Sequence, residues 1–455
     1  GSIGNNKSYV HFYKYNPDGR SQSASENENI SFKVNHAIGK KTFYEAHIFQ
    51  NNTDYESYQF TPLDLSKAIN FSSGDAFGQD EDLLLYIDSP GIYEVGPDII
   101  TILDGETYLL PNSKYASSQK ILGAPSSPTF SFGGSNRGHN YRYSTSYGGK
   151  LDISSQINNR HEIKTGIQFR MDELNERIFS ILYDDNTYRI PTISPENASP
   201  SHSNYNENAL FISAYFQDKL EYDSFIMNIG LRYDSFDPKS SHIDSLLNPE
   251  FGRTKSSRKS MLSPRMGVAY PITDRGIIHF SYGHFYQMPT MRNLFLKNIF
   301  GAGLSPTIGY SNLKPQKTVM YEFGLQQQLG RFIALNTSIF YKDIRDLLAL
   351  QTINYNSPTY GPSSYAIYLN KDYSMVKGIT LSLTKRRDAK TKTSAFIDYS
   401  YQTTEGNSVA SGSFYFNALT DTEEEKKIVP LSWDQSHVFN TTISITEPGE
   451  KGWGI

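Results

Sequence analysis

Apolar and polar residues alternate along most of this chain. In RHEIKTGIQFR, residues 160 to 170, Ile163, Thr165, Ile167 and Phe169 fall on one face of an extended strand, while Glu162, Lys164, Gly166, Gln168 and Arg170 fall on the other. This is the two-residue period of β-structure. Phe225, Met227, Ile229, Leu231 and Tyr233 likewise oppose Asn228, Gly230, Arg232 and Asp234, and Val319, Tyr321, Phe323 and Leu325 oppose Glu322, Gly324, Gln326 and Gln328. Ile333, Leu335, Ile339 and Tyr341 oppose Ala334, Asn336 and Ser338, and Ala395, Ile397, Tyr399 and Tyr401 oppose Ser394, Asp398, Ser400 and Gln402. The alternation predicts about fifteen strands, at 9–15, 30–38, 42–50, 141–157, 160–171, 210–221, 225–236, 261–271, 276–286, 318–329, 331–342, 374–387, 392–403, 435–446 and from 452 to the end.

Two kinds of connection take turns between these strands. Gly39 to Lys41, Asn158-Asn159, Tyr222 to Ser224, Ile272 to Arg275, Gly330 and Asp388 to Thr391 are tight links, whereas long polar stretches occupy 51–140, 172–209, 237–260, 287–317, 343–373 and 404–434. Short alternating with long is the rhythm of an outer-membrane barrel, with short periplasmic turns and long extracellular loops. A sandwich has no reason to keep its long loops at one end.

The environment of the two faces follows. In a barrel the apolar face meets lipid and the polar face lines a wet interior. In a soluble, carbohydrate-binding sandwich the second face would be buried, and each of its amides and carboxylates would need a partner. The polar faces here are too polar for that. Tyr233, Tyr321 and Tyr401, at strand ends, suit the interfacial girdle, where a ring sits among headgroups with its hydroxyl wet.

Composition narrows the picture. The 455 residues are 37% hydrophobic and 20% charged, with Tyr 33, Phe 27, Trp 2, no cysteine and a net charge of -4. No run approaches the roughly 18 apolar residues that a membrane helix needs, so any spanning structure must be a barrel. The opening GSIGNNKSYV has neither the basic start nor the apolar core of a secretion signal. Absence of cysteine removes disulfides and thiolate metal sites. The mild acidity offers no basic footprint for nucleic acid.

No enzymatic constellation emerges. His279 and His284 flank Ser281, yet their odd separation puts them on opposite faces of a strand, so neither a hydrolase site nor a metal pair forms. Asp75, Asp80, Glu81 and Asp82 lack the spacing and turn glycine of a calcium loop and read as a solvated loop. Glu423, Glu424, Glu425, Lys426 and Lys427 read as an exposed loop of mixed charge. No catalytic residue, metal site or cofactor is expected.

The segments SSQINNRHEIKTGIQFR (154–170), FISAYFQDKLEYDSFIMNIGLRYDSFDP (211–238), LSPRMGVAYPITDRGIIHFSYGHFYQMP (262–289), NLKPQKTVMYEFGLQQQLGRFIALNTSIFYKDIRDL (312–347), YSMVKGITLSLTKR (373–386) and LSWDQSHVFNTTISI (431–445) resemble, in order and spacing, the barrel of TonB-dependent outer-membrane receptors. They look most like the branch common in Bacteroidetes-type bacteria. The resemblance implies an all-β fold, a large antiparallel transmembrane barrel. The family barrel has twenty-two strands, so with about fifteen read here roughly seven are expected beyond this stretch, divided between its two ends. The family's amino-terminal plug domain and TonB box are not discernible, which makes the chain, by expectation, a barrel fragment.

The resemblance further implies a receptor that binds a scarce nutrient outside the cell and imports it, be it siderophore-bound iron, cobalamin, an oligosaccharide or a peptide. The implied partners are outer-membrane lipid, the TonB-ExbB-ExbD energy-coupling complex acting through a plug, a surface lipoprotein and the nutrient itself, with no nucleic acid. A passive porin-like or surface-binding barrel is the alternative. In this family the lumen wall bonds the plug and contributes to the ligand pocket, for which Arg170, Arg232, Asp234, Glu322, Gln326 and Asp398 are the candidates. Among loop residues, Phe130, Phe132, Arg137, His139, Tyr141 and Tyr143 combine stacking faces with hydrogen-bond donors, as a glycan or chelate site requires.

Overall fold

The protein was analysed as a computed structural model that describes residues 21–58, 138–180, 203–296, 307–358, 361–388, 391–407, 428–431 and 434–446, with short strand segments inside 61–111 and 182–189. Its main feature is one fifteen-stranded sheet. Two members, Thr307–Ile308 and Val429–Pro430, are two-residue pieces. The long strands are β1 (Gln22–Ile38), β2 (Thr42–Tyr58), β3 (Gly138–Gln156), β4 (His161–Ser180), β5 (Ser203–Tyr222), β6 (Phe225–Asp237), β7 (Lys259–Thr273), β8 (Gly276–Gln287), β9 (Gln316–Gln328), β10 (Ile333–Ser357), β11 (Gly361–Lys385), β12 (Thr393–Gly406) and β13 (His437–Ile445). Each long strand pairs antiparallel with the next in sequence. Among the described residues β1 and β13 each have a partner on one side, so the sheet is an open arc of barrel wall.

Every long strand corresponds to one of the segments that alternation picks out. The two remaining segments, 9–15 and 452 to the end, lie outside the described residues. The strands run further than alternation shows at the long-loop end. Residues 343–373, read from sequence as a loop, continue β10 and β11 as one tall hairpin, broken only by register shifts around Ile344 to Leu348, where Asp346 takes a φ of 58°. The reason is tertiary: Ile353, Tyr355, Tyr365 and Ile367 on this hairpin are buried against Ile243 and Ile308 from other loops. Likewise β4 and β5 extend well into 172–209.

The two faces separate as the period demands. Ile167, Ile229, Leu231, Phe323 and Ile339 point outward and are 60%, 45%, 47%, 50% and 56% exposed, with no layer over them among the described residues. No helix among the described residues is long and apolar enough to cross a membrane; a ladder of strands whose outward side chains are apolar is the other structure that can meet lipid. Tyr233, Tyr321 and Tyr401 are exposed on the same face. Tyr282 and Tyr341 join them, with the Tyr282 and Tyr321 rings 5.1 Å apart and those of Tyr321 and Tyr341 6.4 Å apart. Tyr222 and Tyr270 mark the short-turn end. From Leu262, paired with Tyr233, down to Tyr270 is about 27 Å of strand, or roughly 21 Å along the membrane normal at a tilt near 40°. Two aromatic levels so spaced bracket the apolar band of an outer membrane.

Ile229 lies midway between Phe225 and Tyr233. Ile229→Arg is expected to cost about 2–4 kcal/mol, whereas arginine at the inward neighbour Asn228 should cost far less, because its charge stays in water. Denaturant unfolding from phospholipid vesicles measures both.

Candidate functional site

The inward face carries the candidate wall residues. On β4 the Arg170 guanidinium lies 3.1 Å from the Asp172 carboxylate and 4.2 Å from the centre of the Phe211 ring. On β6, Arg232 donates through Nε to both Asp234 oxygens at 2.9 Å and through Nη2 to Oδ1 at 2.7 Å. Both pairs join residues two apart, which share a face on any strand. Register brings the two pairs together, since Arg170 faces Phe211, and Phe211 faces Phe236 on β6, next but one to Asp234.

A glycine shapes the same wall. Tyr215 lies across β4 at Gly166, and its hydroxyl donates to Asp152 on β3 at 2.7 Å. A Cβ at Gly166 would come within 2.6 Å of that ring, so the absent side chain is what lets the tyrosine span two strands.

Glu322, Gln326 and Asp398 lie on a different sector. The Glu322 carboxylate is 3.8 Å from His279 Nε2, and Asp398 accepts from the Ser382 hydroxyl at 2.5 Å. Gln326 sits near the short-turn end, in a cleft it shares with Arg275, Gln328, Asn336 and Ser382. The six wall candidates therefore form two groups. His279 faces inward to Glu322, whereas His284 bonds the Tyr282 hydroxyl at 2.8 Å on the outer face, so the two histidines do stand on opposite sides.

Above the upper tyrosine level the mouth is partly filled by the connection between β8 and β9. Thr290 caps a short helix, α1 (Met291–Phe295), by accepting from the Asn293 amide. Leu294, Phe295, Leu296 and Leu313 are buried against Leu174, Tyr205, Ala209 and Phe236 of the wall, with Phe211 packed beside them. Arg170 thus lies at the margin of an apolar cap built from the chain's own loop. The apolar run Leu294-Phe295-Leu296 was the available signal for this contact. Its surroundings, 287–317, otherwise have the composition of a polar loop, which masks it.

Beside the cap, Glu176 on β4 is buried and takes a 2.8 Å bond from Arg142 Nε. The nearby Tyr205 hydroxyl lies against the same carboxylate. Burial and the Glu176 charge push the Tyr205 phenol well above its usual range.

Of the loop candidates, Phe130, Phe132 and Arg137 lie outside the described residues. His139, Tyr141 and Tyr143 belong to β3, where they share the outward parity of Tyr147 and Ile153. That is the opposite face from the lumen wall. The His139 ring is stacked between Phe179, at 4.8 Å, and Tyr58, at 5.8 Å, and its Nδ1 lies 3.1 Å from the Tyr141 hydroxyl. Burial first, and the Arg177 charge second, lower His139 to about 4. Tyr143 donates to Glu56 at 2.7 Å, and burial with that carboxylate raises its pKa. Tyr58 and Phe179 could not be picked out from sequence, because only strand pairing brings β2 and β4 to either side of β3.

An arc of antiparallel wall with an apolar exterior, tyrosine levels and a polar interior defines an outer-membrane β-barrel. A sequence profile of the family described as TonB dependent receptor-like, beta-barrel matches residues 2–430. The chain belongs to this family, which places it in the outer membrane of a Gram-negative bacterium. Three solved structures are similar in fold. The outer membrane transporter YddB from Escherichia coli is 12% identical, with 94% of this chain and 49% of that chain covered and a TM-score of 0.55. The siderophore receptor PiuA from Acinetobacter baumannii is 13% identical, with 94% and 53% covered and a TM-score of 0.52. The ferric-catecholate import receptor Fiu from Escherichia coli K12 is 14% identical, with 96% and 53% covered and a TM-score of 0.51. The chain spans about half the length of these structures. No curated protein matches it in sequence.

Two measurements test this geometry. Arg142→Met strands the buried Glu176 charge and is expected to cost about 3–5 kcal/mol, with Glu176→Gln in the same chain recovering part of the loss. Arg232→Met breaks a half-exposed pair in a wet lumen and should cost less than about 1 kcal/mol. Urea unfolding in detergent separates the two.

For His139 the folded pKa, about 4, lies below the ordinary 6.5, so the unfolded chain takes up the proton first. Its contribution is complete above pH 6.5 and is lost as pH falls towards 4, to a limit of about 3 kcal/mol. A His139→Phe variant, which keeps the stack, should melt with a shallower dependence on pH across that window.

Proposed function

We propose that this chain is the barrel wall of a receptor that binds a scarce nutrient at the cell surface and imports it with energy from the TonB-ExbB-ExbD complex. The carrying observation is the polar inner wall inside a lipid-facing belt, in a chain whose family membership extends over residues 2–430. A lumen lined by Arg170, Arg232, Asp234, Glu322, Gln326 and Asp398 offers hydrogen bonds to a plug and to passing cargo. His139, Tyr141 and Tyr143, on the outward face, suit bracing of the outer loops better than contact with cargo in the lumen. The cargo is a nutrient too large or too dilute for passive entry: a ferric siderophore, cobalamin, an oligosaccharide or a peptide.

The test is growth of the source bacterium on each nutrient class as the limiting supply, with the gene intact, with the gene deleted and with TonB removed. A growth defect shared by the gene and TonB deletions supports energised import. A defect that needs the gene and is indifferent to TonB would instead make the barrel a passive pore or a surface-binding protein.

A further inference from the structure

Three long segments above the belt, the connections between β6 and β7 and between β8 and β9 and the extended top of the β10–β11 hairpin, lie far apart in sequence, yet they bond and bury one another. The Ser256 and Ser311 hydroxyls meet at 2.7 Å, and the Ser257 hydroxyl donates to Asn312 at 2.9 Å, tying the first connection to the second. Thr307–Ile308 of the second adds a parallel strand to the tall hairpin at Ala366 and Ile367. The Lys314 amide donates to Asn370 Oδ1 at 2.8 Å, and Asn370 Nδ2 returns a bond to the Lys314 carbonyl at 3.0 Å. The hairpin closes the triangle on the first connection, where the Tyr365 hydroxyl donates to the Leu246 carbonyl at 2.7 Å and the Tyr355 hydroxyl to Glu250 at 2.9 Å. One cluster, made of Ile243, Ile308, Ile353, Tyr355, Tyr365 and Ile367, draws on all three.

Such a triangle does not open one side at a time. Parting any two connections exposes the shared cluster and strands buried hydroxyl and carbonyl groups, whereas moving the three together keeps every contact. The second connection is also fastened to the wall by the apolar cap of α1, which fixes the set to β4 through β6.

We infer that these three connections form one interlocked body, which moves as a unit and does not open between its members. The inference goes beyond the receptor reading and stands on the contacts alone.

Hydrogen exchange on the full-length protein in detergent tests the interlock without any ligand, so its outcome is independent of whether the protein imports anything. Tyr365→Phe, which removes one hydroxyl from a contact between connections, is expected to speed exchange roughly tenfold in 241–246 and in 307–313 as well as in 361–369. Faster exchange confined to 361–369 would overturn the inference. A second variant guards against misfolding: Ser256→Cys with Ser311→Cys should form a disulfide readily and slow exchange in all three connections. A pair that stays reduced under mild oxidant, or a bond that protects only its own two segments, would equally overturn it.

Discussion

A polypeptide in lipid has no water to bond its amides and carbonyls, and the rest of this structure depends on how that constraint is met. Each long strand bonds its neighbours through an antiparallel ladder, so the chain can be both extended and membrane-embedded. Once the ladder is in place, the period of two assigns every side chain to lipid or to lumen. One residue of slippage would exchange the faces, putting Arg232 and Asp234 into lipid and Leu231 and Tyr233 into the lumen. Register and function are therefore the same decision in this wall.

The wet side shows what the constraint permits. Charges are held in pairs along a strand, as in Arg232 with Asp234 and Arg170 with Asp172, which leaves few isolated charges facing the lumen. Gly166 opens room for Tyr215 to reach Asp152, so two strands are laced together by one ring. At the mouth the balance changes. Glu176 and Tyr205 lose water beneath a cap of leucine and phenylalanine supplied by the chain's own loop, and polar recognition gives way to apolar closure.

This changes how the wall candidates are viewed. Arg170 lies at the margin of the loop cap, whereas Glu322, Gln326 and Asp398 line a sector of the described wall that carries amides and hydroxyls with few charges. The two sectors offer different surfaces to whatever occupies the lumen. His139, with its aromatic face and ring nitrogens, is the centre of a ring stack on the outer side.

The sequence by itself determined the strands, the two faces and the alternation of tight turns with long connections, because each is a local property of a chain with period two. Ile229 and Arg232 reveal their environments by their neighbours alone, and the tight turn after Tyr222 marks where the chain reverses. Tertiary structure alone decided the extension of β10 and β11 into a tall hairpin, the folding of α1 into the mouth and the stack around His139. In each case the partners are brought together by pairing across many residues: Tyr365 meets Leu246, Leu294 meets Phe236, and His139 meets Tyr58. Alternation reports which side of a strand a residue occupies, and only the paired ladder reports what stands across from it.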